Sequence, residues 1–262
     1  MFQIPYGRHD VDDRDIAAVV RVMKGDWLTT GPEVQLFEEE LATYLGVKGA
    51  VSVSSGTAAL HSAYKAIGLG PGDEIITTPL TFIATASTAV QLGARVLFAD
   101  VEPDTGNLDP EAVASLVGPR TRAIVAVDYA GHPANLQSLR VLADSTGVLL
   151  MEDAAHSLGS KLNEKHVGAY AHVAALSFFP TKNIATGEGG AVVSNDEEIL
   201  DSVRTFSRQG LKREPRQLRI QDEGPWHQEV HELGLNYRLP DILCAIGRSQ
   251  LARIEEPPRE CL

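Results

Sequence analysis

The sequence predicts an α/β fold in which helices cover both faces of one mostly parallel sheet. Short apolar runs alternate with longer segments of helical periodicity along most of the 262 residues, and this alternation is typical of a doubly wound sheet. The apolar runs do not alternate with polar residues, which indicates strands that are buried on both faces. An apolar content of 44% is ordinary for a globular chain that can bury a large core.

Eight helices and seven strands are expected from these patterns. The helices are predicted at residues 13–23, 32–45, 57–67, 82–92, 110–116, 135–145, 197–207 and 240–254. The strands are predicted at residues 50–53, 74–77, 95–98, 123–127, 148–151, 174–178 and 191–194. Pro257 and Pro258 end the last helical pattern, because proline lacks a backbone N–H and clashes with the preceding turn.

Lys182 lies between the apolar run at residues 174–178 and the glycine-rich turn at residues 187–190. A lysine is usually a solvated surface charge, and it becomes a nucleophile only where its surroundings favour the neutral amine or a covalent adduct. The position therefore indicates chemistry only if suitable partners occur elsewhere in the chain.

Such partners precede Lys182. Asp153 follows the apolar run at residues 148–151, and a carboxylate at the carboxyl end of a parallel strand points into the crevice where open α/β sheets bind ligands. Gly56 and Thr57 begin a helical pattern after another apolar run, and the start of a helix offers free N–H groups and a positive dipole end to a phosphate. A lysine, a carboxylate and a phosphate cup are what a pyridoxal phosphate enzyme needs.

Five segments carry a resemblance to a known family. They read SSGTAALHSA, DEIITTPLTFIATAS, MEDAAHSLGS, SFFPTKNIATGEGGAVVSND and ELGLNYRLPD. In this order and spacing they resemble the DegT/DnrJ/EryC1/StrS family of nucleotide-sugar aminotransferases across nearly the whole chain. Within it, VDYAGHPA and WHQEVHELGLNYRLPD are most similar to the branch that aminates UDP-linked 4-keto-6-deoxy-N-acetylhexosamines on the way to pseudaminic acid. The resemblance implies the large domain of a fold-type I pyridoxal phosphate transferase, which is aspartate aminotransferase-like.

The resemblance implies roles for three residues around the reacting atoms. Lys182 would bind the cofactor covalently and then move a proton between the C4′ atom of the cofactor and C4 of the sugar. Asp153 would keep the pyridine nitrogen protonated, although an aspartate at this position also suits a helix N-cap. His156 would hydrogen-bond the 3′ oxygen of the cofactor, and a core histidine with satisfied hydrogen bonds is the alternative.

Other residues are matched to the remainder of the cofactor. Phe82 would stack on its ring, unless it is an ordinary core aromatic. Ser177 would join Gly56 and Thr57 at the phosphate. Asn236 matches an asparagine that reaches the phosphate of the neighbouring subunit in a homodimer with shared active sites, and a simple turn asparagine is the alternative.

Tyr6, Trp27, Leu28 and Thr29 match the substrate side of the family's site. Aromatic and hydroxyl side chains suit a sugar or a uracil face, but Trp27 also suits a core position. The implied reaction moves an amino group from L-glutamate to C4 of a UDP-linked 4-keto-6-deoxy-N-acetylhexosamine, a UDP-sugar.

Three alternatives to this reaction are open. The substrate could be another nucleotide 4-keto sugar, of the perosamine type. The chain could be a sugar dehydratase that uses the aminated cofactor, although a histidine replaces the lysine in those relatives, so Lys182 counts against it. A third possibility is an inactive fragment that binds only the cofactor or a partner.

Residues 1–254 are expected to form the cofactor-binding large domain with its N-terminal segment, and residues 255–262 a short tail. Members of the family continue into a small carboxy-terminal domain that closes over the substrate. This domain is expected to be absent here, so that cofactor binding survives while turnover falls sharply.

Charge and composition exclude several other classes. The net charge of −12 argues against nonspecific nucleic-acid binding. No run approaches the roughly 20 apolar residues that span a bilayer, so the cytoplasm is the expected compartment. Cys244 and Cys261 have no metal-ligand spacing and are expected to be free thiols.

Overall fold

The computed structural model describes residues 9–220 and 223–256, which are organised by a seven-stranded sheet. The helices are α1 (Asp13–Met23), α2 (Pro32–Leu45), α3 (Gly56–Ala66), α4 (Ala84–Gln91), α5 (Pro110–Ala114), α6 (Leu136–Thr146), α7 (Glu197–Ser207) and α8 (Asp241–Leu251). The strands are β1 (Gly49–Val53), β2 (Glu74–Thr77), β3 (Arg95–Phe98), β4 (Thr121–Val127), β5 (Leu149–Asp153), β6 (Lys161–Leu162), β7 (Lys165–His166), β8 (Val173–Ser177), β9 (Gly190–Ser194), β10 (Leu211–Lys212) and β11 (Glu229–Val230).

The main sheet has the strand order β1-β9-β8-β5-β4-β2-β3. Neighbouring strands are parallel throughout the part β8-β5-β4-β2-β3. Strand β9 is antiparallel to both of its neighbours, β1 and β8. The predicted α/β fold with a mostly parallel sheet is confirmed. As a result, β4, β5 and β8 end at the same edge of the sheet.

Apolar side chains cover both faces of the sheet. Met151 belongs to a buried cluster with residues of α3 and α7, whereas Leu150 belongs to a second cluster with residues of α6. Successive side chains of a strand point to opposite faces. Asp153 therefore lies on the same face as Met151, and Glu152 on the same face as Leu150. Among the described residues, no helix is long and apolar enough to cross a membrane.

Three predicted features differ from the structure. Strand β5 extends through Glu152 to Asp153, so these carboxylates belong to the strand and do not follow it. Strand β3 is an edge strand whose end residues Arg95 and Phe98 are exposed, because only β2 pairs with it. Helix α4 begins at Ala84, so Phe82 precedes the helix that was expected to contain it.

The start of α2 is held by a carboxylate from a distant part of the chain. Gly31 precedes the helix and offers no side chain for capping. Instead, the carboxylate of Asp241 accepts the Gly31 N–H at 2.8 Å and the Glu33 N–H at 3.0 Å. Asp241 is the first residue of α8 and is buried, so it joins the amino ends of two helices and favours both dipoles.

Replacing Asp241 by alanine removes both hydrogen bonds and leaves buried N–H groups without a partner. We expect Asp241→Ala to lower the free energy of unfolding by about 2 kcal/mol, the usual effect of losing hydrogen bonds to a charged group. Urea unfolding followed by circular dichroism measures this change. Asp104→Ala, at an exposed position, is the control and is expected to change stability little; equal effects of the two variants would contradict the capping role.

Candidate active site

The centre of the site is Asp153 at the carboxyl end of β5. Its side chain is buried. Its carboxylate accepts the Thr85 hydroxyl at 2.7 Å on Oδ2 and the Ala155 N–H at 3.3 Å on Oδ1. No helix begins at this point, since residues 155–159 form turns. The alternative of a helix N-cap is therefore wrong.

The pKa of Asp153 follows from the competition between burial and its neighbours. Burial raises the pKa, whereas Thr85, the Ala155 N–H and the charge of Lys182 lower it, and burial has the larger effect. A protonated ring nitrogen placed against Asp153 would favour the ionised carboxylate, as any adjacent cation does. The site therefore suits a ligand that brings a positive N–H group to this carboxylate.

Lys182 lies on the connection between β8 and β9. Its Nζ atom is 2.7 Å from Nε2 of His156. Burial lowers the pKa of Lys182, and the nearby Asp153 offsets only part of this effect. Burial also lowers the pKa of His156, and the charge of Lys182 adds to the decrease. Both shifts act toward the neutral form, and a neutral amine is the state of lysine that can act as a nucleophile or base.

The backbone around Lys182 is anchored at several points. Thr186 N–H donates to the Phe178 carbonyl, and Phe178 N–H donates to the Gly189 carbonyl, each at 2.9 Å. The Ala185 N–H donates to the side chain of Gln250 in α8 at 2.8 Å. These bonds close the connection into a compact loop that presents Lys182 toward His156.

The start of α3 lies directly against the end of β8. A Cβ atom on Gly56 would be 2.8 Å from Cβ and 2.9 Å from Oγ of Ser177, so only glycine permits this approach. Ser55 caps the helix by accepting the Ala58 N–H at 3.0 Å. The first N–H groups of a helix, here those of Gly56 and Thr57, have no partner within the helix. Together with the Ser177 hydroxyl they form a cup of donors suited to a phosphate.

Asn236 lies in a segment that packs beside this cup. The Ser54 N–H donates to the Tyr237 carbonyl at 2.7 Å, and Asn236 forms a β-bridge with Arg208. The Tyr237 hydroxyl is 3.0 Å from Nδ1 of His61 on α3. Asn236 itself is exposed, so its side chain is available to a second chain.

The remaining predicted residues are less closely joined to the centre. Phe82 precedes α4 and is 71% exposed, so it is not an ordinary core aromatic. Trp27 is 57% exposed, which also excludes a core position, and Leu28 and Thr29 are exposed beside it in the connection between α1 and α2. Among the described residues, no hydrogen bond or salt bridge joins this connection to Lys182. Tyr6 lies outside the described residues.

Thr85 is a site residue that sequence reasoning missed. Its hydroxyl lies 2.7 Å from Oδ2 of Asp153, 3.1 Å from the Phe82 carbonyl oxygen and 2.7 Å from the Thr81 hydroxyl. When Thr85 donates to Asp153, the Thr81 hydroxyl is the donor to Thr85. The buried Tyr64 hydroxyl donates to the Thr85 carbonyl at 2.8 Å and fixes the backbone there. The cluster of threonines in an otherwise apolar helix was the available indication, because a buried hydroxyl needs a partner.

Comparison with known proteins decides the family. A profile of the DegT/DnrJ/EryC1/StrS aminotransferase family matches residues 9–259. The chain belongs to this family. Its members are pyridoxal phosphate-dependent aminotransferases, so the resemblance carried by the five sequence segments is confirmed.

Individual relatives agree with this assignment. The chain is 40% identical over 255 residues to UDP-4-amino-4,6-dideoxy-N-acetyl-beta-L-altrosamine transaminase of Campylobacter jejuni, covering 96% of this chain and 65% of the relative. Helicobacter pylori PseC, an aminotransferase of pseudaminic acid biosynthesis, superposes with a TM-score of 0.90 at 36% identity, covering 97% of this chain and 66% of that chain. A Streptococcus pneumoniae protein in its PLP form superposes with a TM-score of 0.89 at 25% identity, covering 97% and 67%.

The length of the match is also informative. This chain spans 65% of the length of the curated relatives that it matches. The matched part includes the lysine loop, Asp153 and the start of α3.

The donors and acceptors of the site fit pyridoxal phosphate. Asp153 offers a buried carboxylate to a ring N–H, and the cup at Gly56 offers N–H and hydroxyl donors to a phosphate. Lys182 offers an amine of lowered pKa to the aldehyde carbon. The ring nitrogen, the phosphate and the aldehyde of the cofactor thus each have a chemically matched partner in this chain.

Thr85 and Thr88 provide a matched pair for testing the hydrogen bond to Asp153. Both are buried on α4, but Thr88 donates only to the Ala84 carbonyl of its own helix, at 2.8 Å. We expect Thr85→Val to weaken pyridoxal phosphate binding about tenfold, because one hydrogen bond to a charged group is lost. Thr88→Val is expected to change affinity less than about threefold. Absorbance titration measures both, and similar affinities for the two variants would contradict the role of Thr85.

Proposed function

We propose that this chain is the cofactor-binding part of an aminotransferase that moves an amino group from L-glutamate to a nucleotide-linked 4-keto sugar. The observation that carries the proposal is the contact of Lys182 with His156 beside the buried carboxylate of Asp153. The position of the α3 amino end at the same edge of the sheet supports it, because it supplies the phosphate donors.

Each residue has a task that follows from its surroundings. When bound, pyridoxal phosphate supplies an electron sink for the carbon that gains or loses a proton. Lys182 would hold the cofactor through its amine and, as a free amine, would carry a proton to and from the reacting carbon of the substrate. Asp153 would hold a proton on the ring nitrogen by charge attraction, with Thr85 keeping that carboxylate oriented. His156, 2.7 Å from Lys182, orients the amine between these events.

The finer assignment concerns the sugar. We propose a UDP-linked 4-keto-6-deoxy-N-acetylhexosamine, aminated at C4 on the way to pseudaminic acid. The Campylobacter jejuni and Helicobacter pylori relatives support this choice through their similarity over nearly the whole chain. Trp27, Leu28 and Thr29 are exposed and free to meet a sugar nucleotide. Lys182 reaches the site centre, which favours amino transfer over the dehydratase alternative.

A spectroscopic experiment tests the cofactor chemistry. With pyridoxal phosphate added, we expect an absorbance band of the protein-bound cofactor in the wild-type chain and in Lys161→Ala, whose lysine is exposed, but not in Lys182→Ala. L-glutamate should bleach the band, because the amino group moves to the cofactor, and D-glutamate should not. A band that is unchanged in Lys182→Ala would contradict the assigned lysine. A band that L-glutamate leaves unchanged would favour a chain that binds the cofactor without turnover.

The substrate is tested on the protein after bleaching with L-glutamate. Adding the UDP-linked 4-keto-6-deoxy-N-acetylhexosamine should restore the band as the amino group leaves. A perosamine-type nucleotide 4-keto sugar is the comparison. Restoration by the second sugar alone would contradict the proposed substrate while leaving the aminotransferase activity intact.

We further propose a homodimer in which Asn236 completes the phosphate cup of the neighbouring subunit. Asn236 is exposed although its backbone is fixed beside β1 by the neighbouring residues Tyr237 and Arg238. An exposed side chain on a fixed backbone suits a contact with a second chain.

Mixing two defective chains tests the shared site. Lys182→Ala lacks the lysine and Asn236→Ala lacks the donor, so each homodimer should show little of the band that glutamate bleaches. When the two chains are co-expressed and pair at random, half of the dimers contain one chain of each kind. Each of these mixed dimers has one intact site out of two, so about a quarter of the wild-type signal should return. No recovery in purified mixed dimers would contradict a site shared through Asn236, and the fraction of dimer is measured by sedimentation.

A further inference from the structure

Two buried carboxyl groups that the proposed reaction does not use lie directly behind Asp153. Strands β4 and β5 are parallel, with Ala126 opposite Glu152 and Val127 opposite Asp153. Glu152 therefore points to the opposite face from Asp153. Asp128 directly follows β4, and its carboxyl group lies within hydrogen-bonding reach of that of Glu152. Both Asp128 and Glu152 are buried.

The donors around these carboxyl groups are fewer than their oxygens require. Glu152 Oε2 accepts the Gly168 N–H at 2.9 Å. Asp128 Oδ1 accepts the Ala134 N–H at 2.9 Å, and Oδ2 accepts the Ser157 hydroxyl at 2.5 Å. Glu152 Oε1 is buried and has no donor among the described residues. No salt bridge of the described residues includes either carboxyl group.

Two ionised carboxylates in this arrangement would be unfavourable. Each would lose its hydration, they would repel each other, and one oxygen would lack a hydrogen bond. One proton removes the repulsion, leaves one dehydrated charge instead of two, and supplies the missing hydrogen bond, because a protonated Glu152 can donate to an oxygen of Asp128. We infer that Glu152 and Asp128 share one proton, and that this hydrogen-bonded pair positions the loop that carries His156.

The electrostatic surroundings support the shared proton. Burial raises the pKa of Glu152 well above its ordinary value, and the neighbouring charge of Asp128 raises it further. The charge of Asp153 raises the pKa of both Glu152 and Asp128. The groups that donate hydrogen bonds to the pair, which are the Gly168 N–H, the Ala134 N–H and the Ser157 hydroxyl, carry no charge.

The pair joins two loops at the carboxyl edge of the sheet. Asp128 receives the Ala134 N–H from the loop after β4 and the Ser157 hydroxyl from the turn after β5. The same loops meet again where a Cβ atom on Gly131 would be 2.8 Å from the carbonyl oxygen of His156. Glu152 and Asp128 are thus positioning residues that act through His156, and through it on Lys182.

The direction of the pH effect follows from the raised pKa. Folding favours the protonated form of Glu152, so the stability it contributes is fully present below the unfolded-state pKa of a glutamate, about 4.3. This stability is lost as the pH rises from there through the raised folded-state pKa, where the pair gains a second negative charge. Glutamine keeps an N–H donor and a carbonyl acceptor at this position and has no proton to lose, so Glu152→Gln should lack this loss with rising pH.

The shared proton is tested on the chain without added cofactor, so its failure is separate from failure of the proposed function. Near neutral pH, the infrared difference spectrum between the wild type and Glu152→Gln should contain the carbonyl band of a protonated carboxyl group. The difference between the wild type and Glu111→Gln, an exposed position, should not. Thermal unfolding should show wild-type stability falling more steeply than that of Glu152→Gln as the pH rises above about 4.3. Absence of the band, or identical pH profiles, would overturn the inference.

The positioning role is tested with the cofactor, and this step rests on the proposed function. Pyridoxal phosphate affinity of Glu152→Gln near neutral pH should stay within about threefold of the wild type, whereas Glu152→Ala should lose about tenfold or more. If Glu152→Gln does not fold, Asp128→Asn replaces it, since its amide can donate to Glu152. Removing the negative neighbour lessens the rise in the Glu152 pKa, so the loss of stability with rising pH should be smaller than in the wild type. Equal affinities of Glu152→Ala and Glu152→Gln would overturn the positioning role.

Discussion

The buried carboxylate of Asp153 is the constraint on which the surrounding structure depends. A carboxylate in this position is costly unless donors and positive charge surround it. Thr85 supplies a hydroxyl, Ala155 supplies an N–H, and Lys182 supplies part of the charge. The parallel register of β4, β5 and β8 brings these groups together, because it places the loops that follow the strands at one edge. The arrangement leaves the carboxylate matched to a cationic ring nitrogen.

Burial shifts the pKa values of the acids and of the bases of the site in opposite directions. Burial raises the pKa values of Asp153 and Glu152, and lowers those of Lys182 and His156. Each shift favours the neutral form of the group, since burial penalises charge of either sign. A neutral lysine is what bond formation with an aldehyde requires, so the burial that makes Asp153 costly also prepares Lys182 for its chemistry.

Contacts distant in sequence stabilise the elements that hold the site. Asp241 caps α2 from the first turn of α8, and Gln250 of the same helix holds the lysine loop through the Ala185 N–H. Helix α8 therefore links the start of the chain to the connection between β8 and β9. Substitutions in α8 are expected to reach the active site through this link, although α8 itself carries no cofactor-binding residue.

The sequence by itself determined the alternation of helices and strands and the family, and it named the residues proposed for the cofactor site. Helices 13–23, 32–45 and 197–207 were predicted with their observed bounds. Local aspartate caps mark the starts of the first and the last of these, and Pro32 and Gly46 bound the second. Lys182, Asp153 and Gly56 were recognisable because their chemistry depends on short motifs.

Only the tertiary structure decided the contacts between those motifs. The exposed edge at β3, the antiparallel insertion of β9, the Thr85 hydrogen bond and the closeness of Glu152 to Asp128 all depend on which strands become neighbours. Strand order is set by packing between residues far apart in the chain, and a local pattern carries no record of it. Burial of a carboxylate, and the rise in its pKa that follows, is likewise a property of the assembled core.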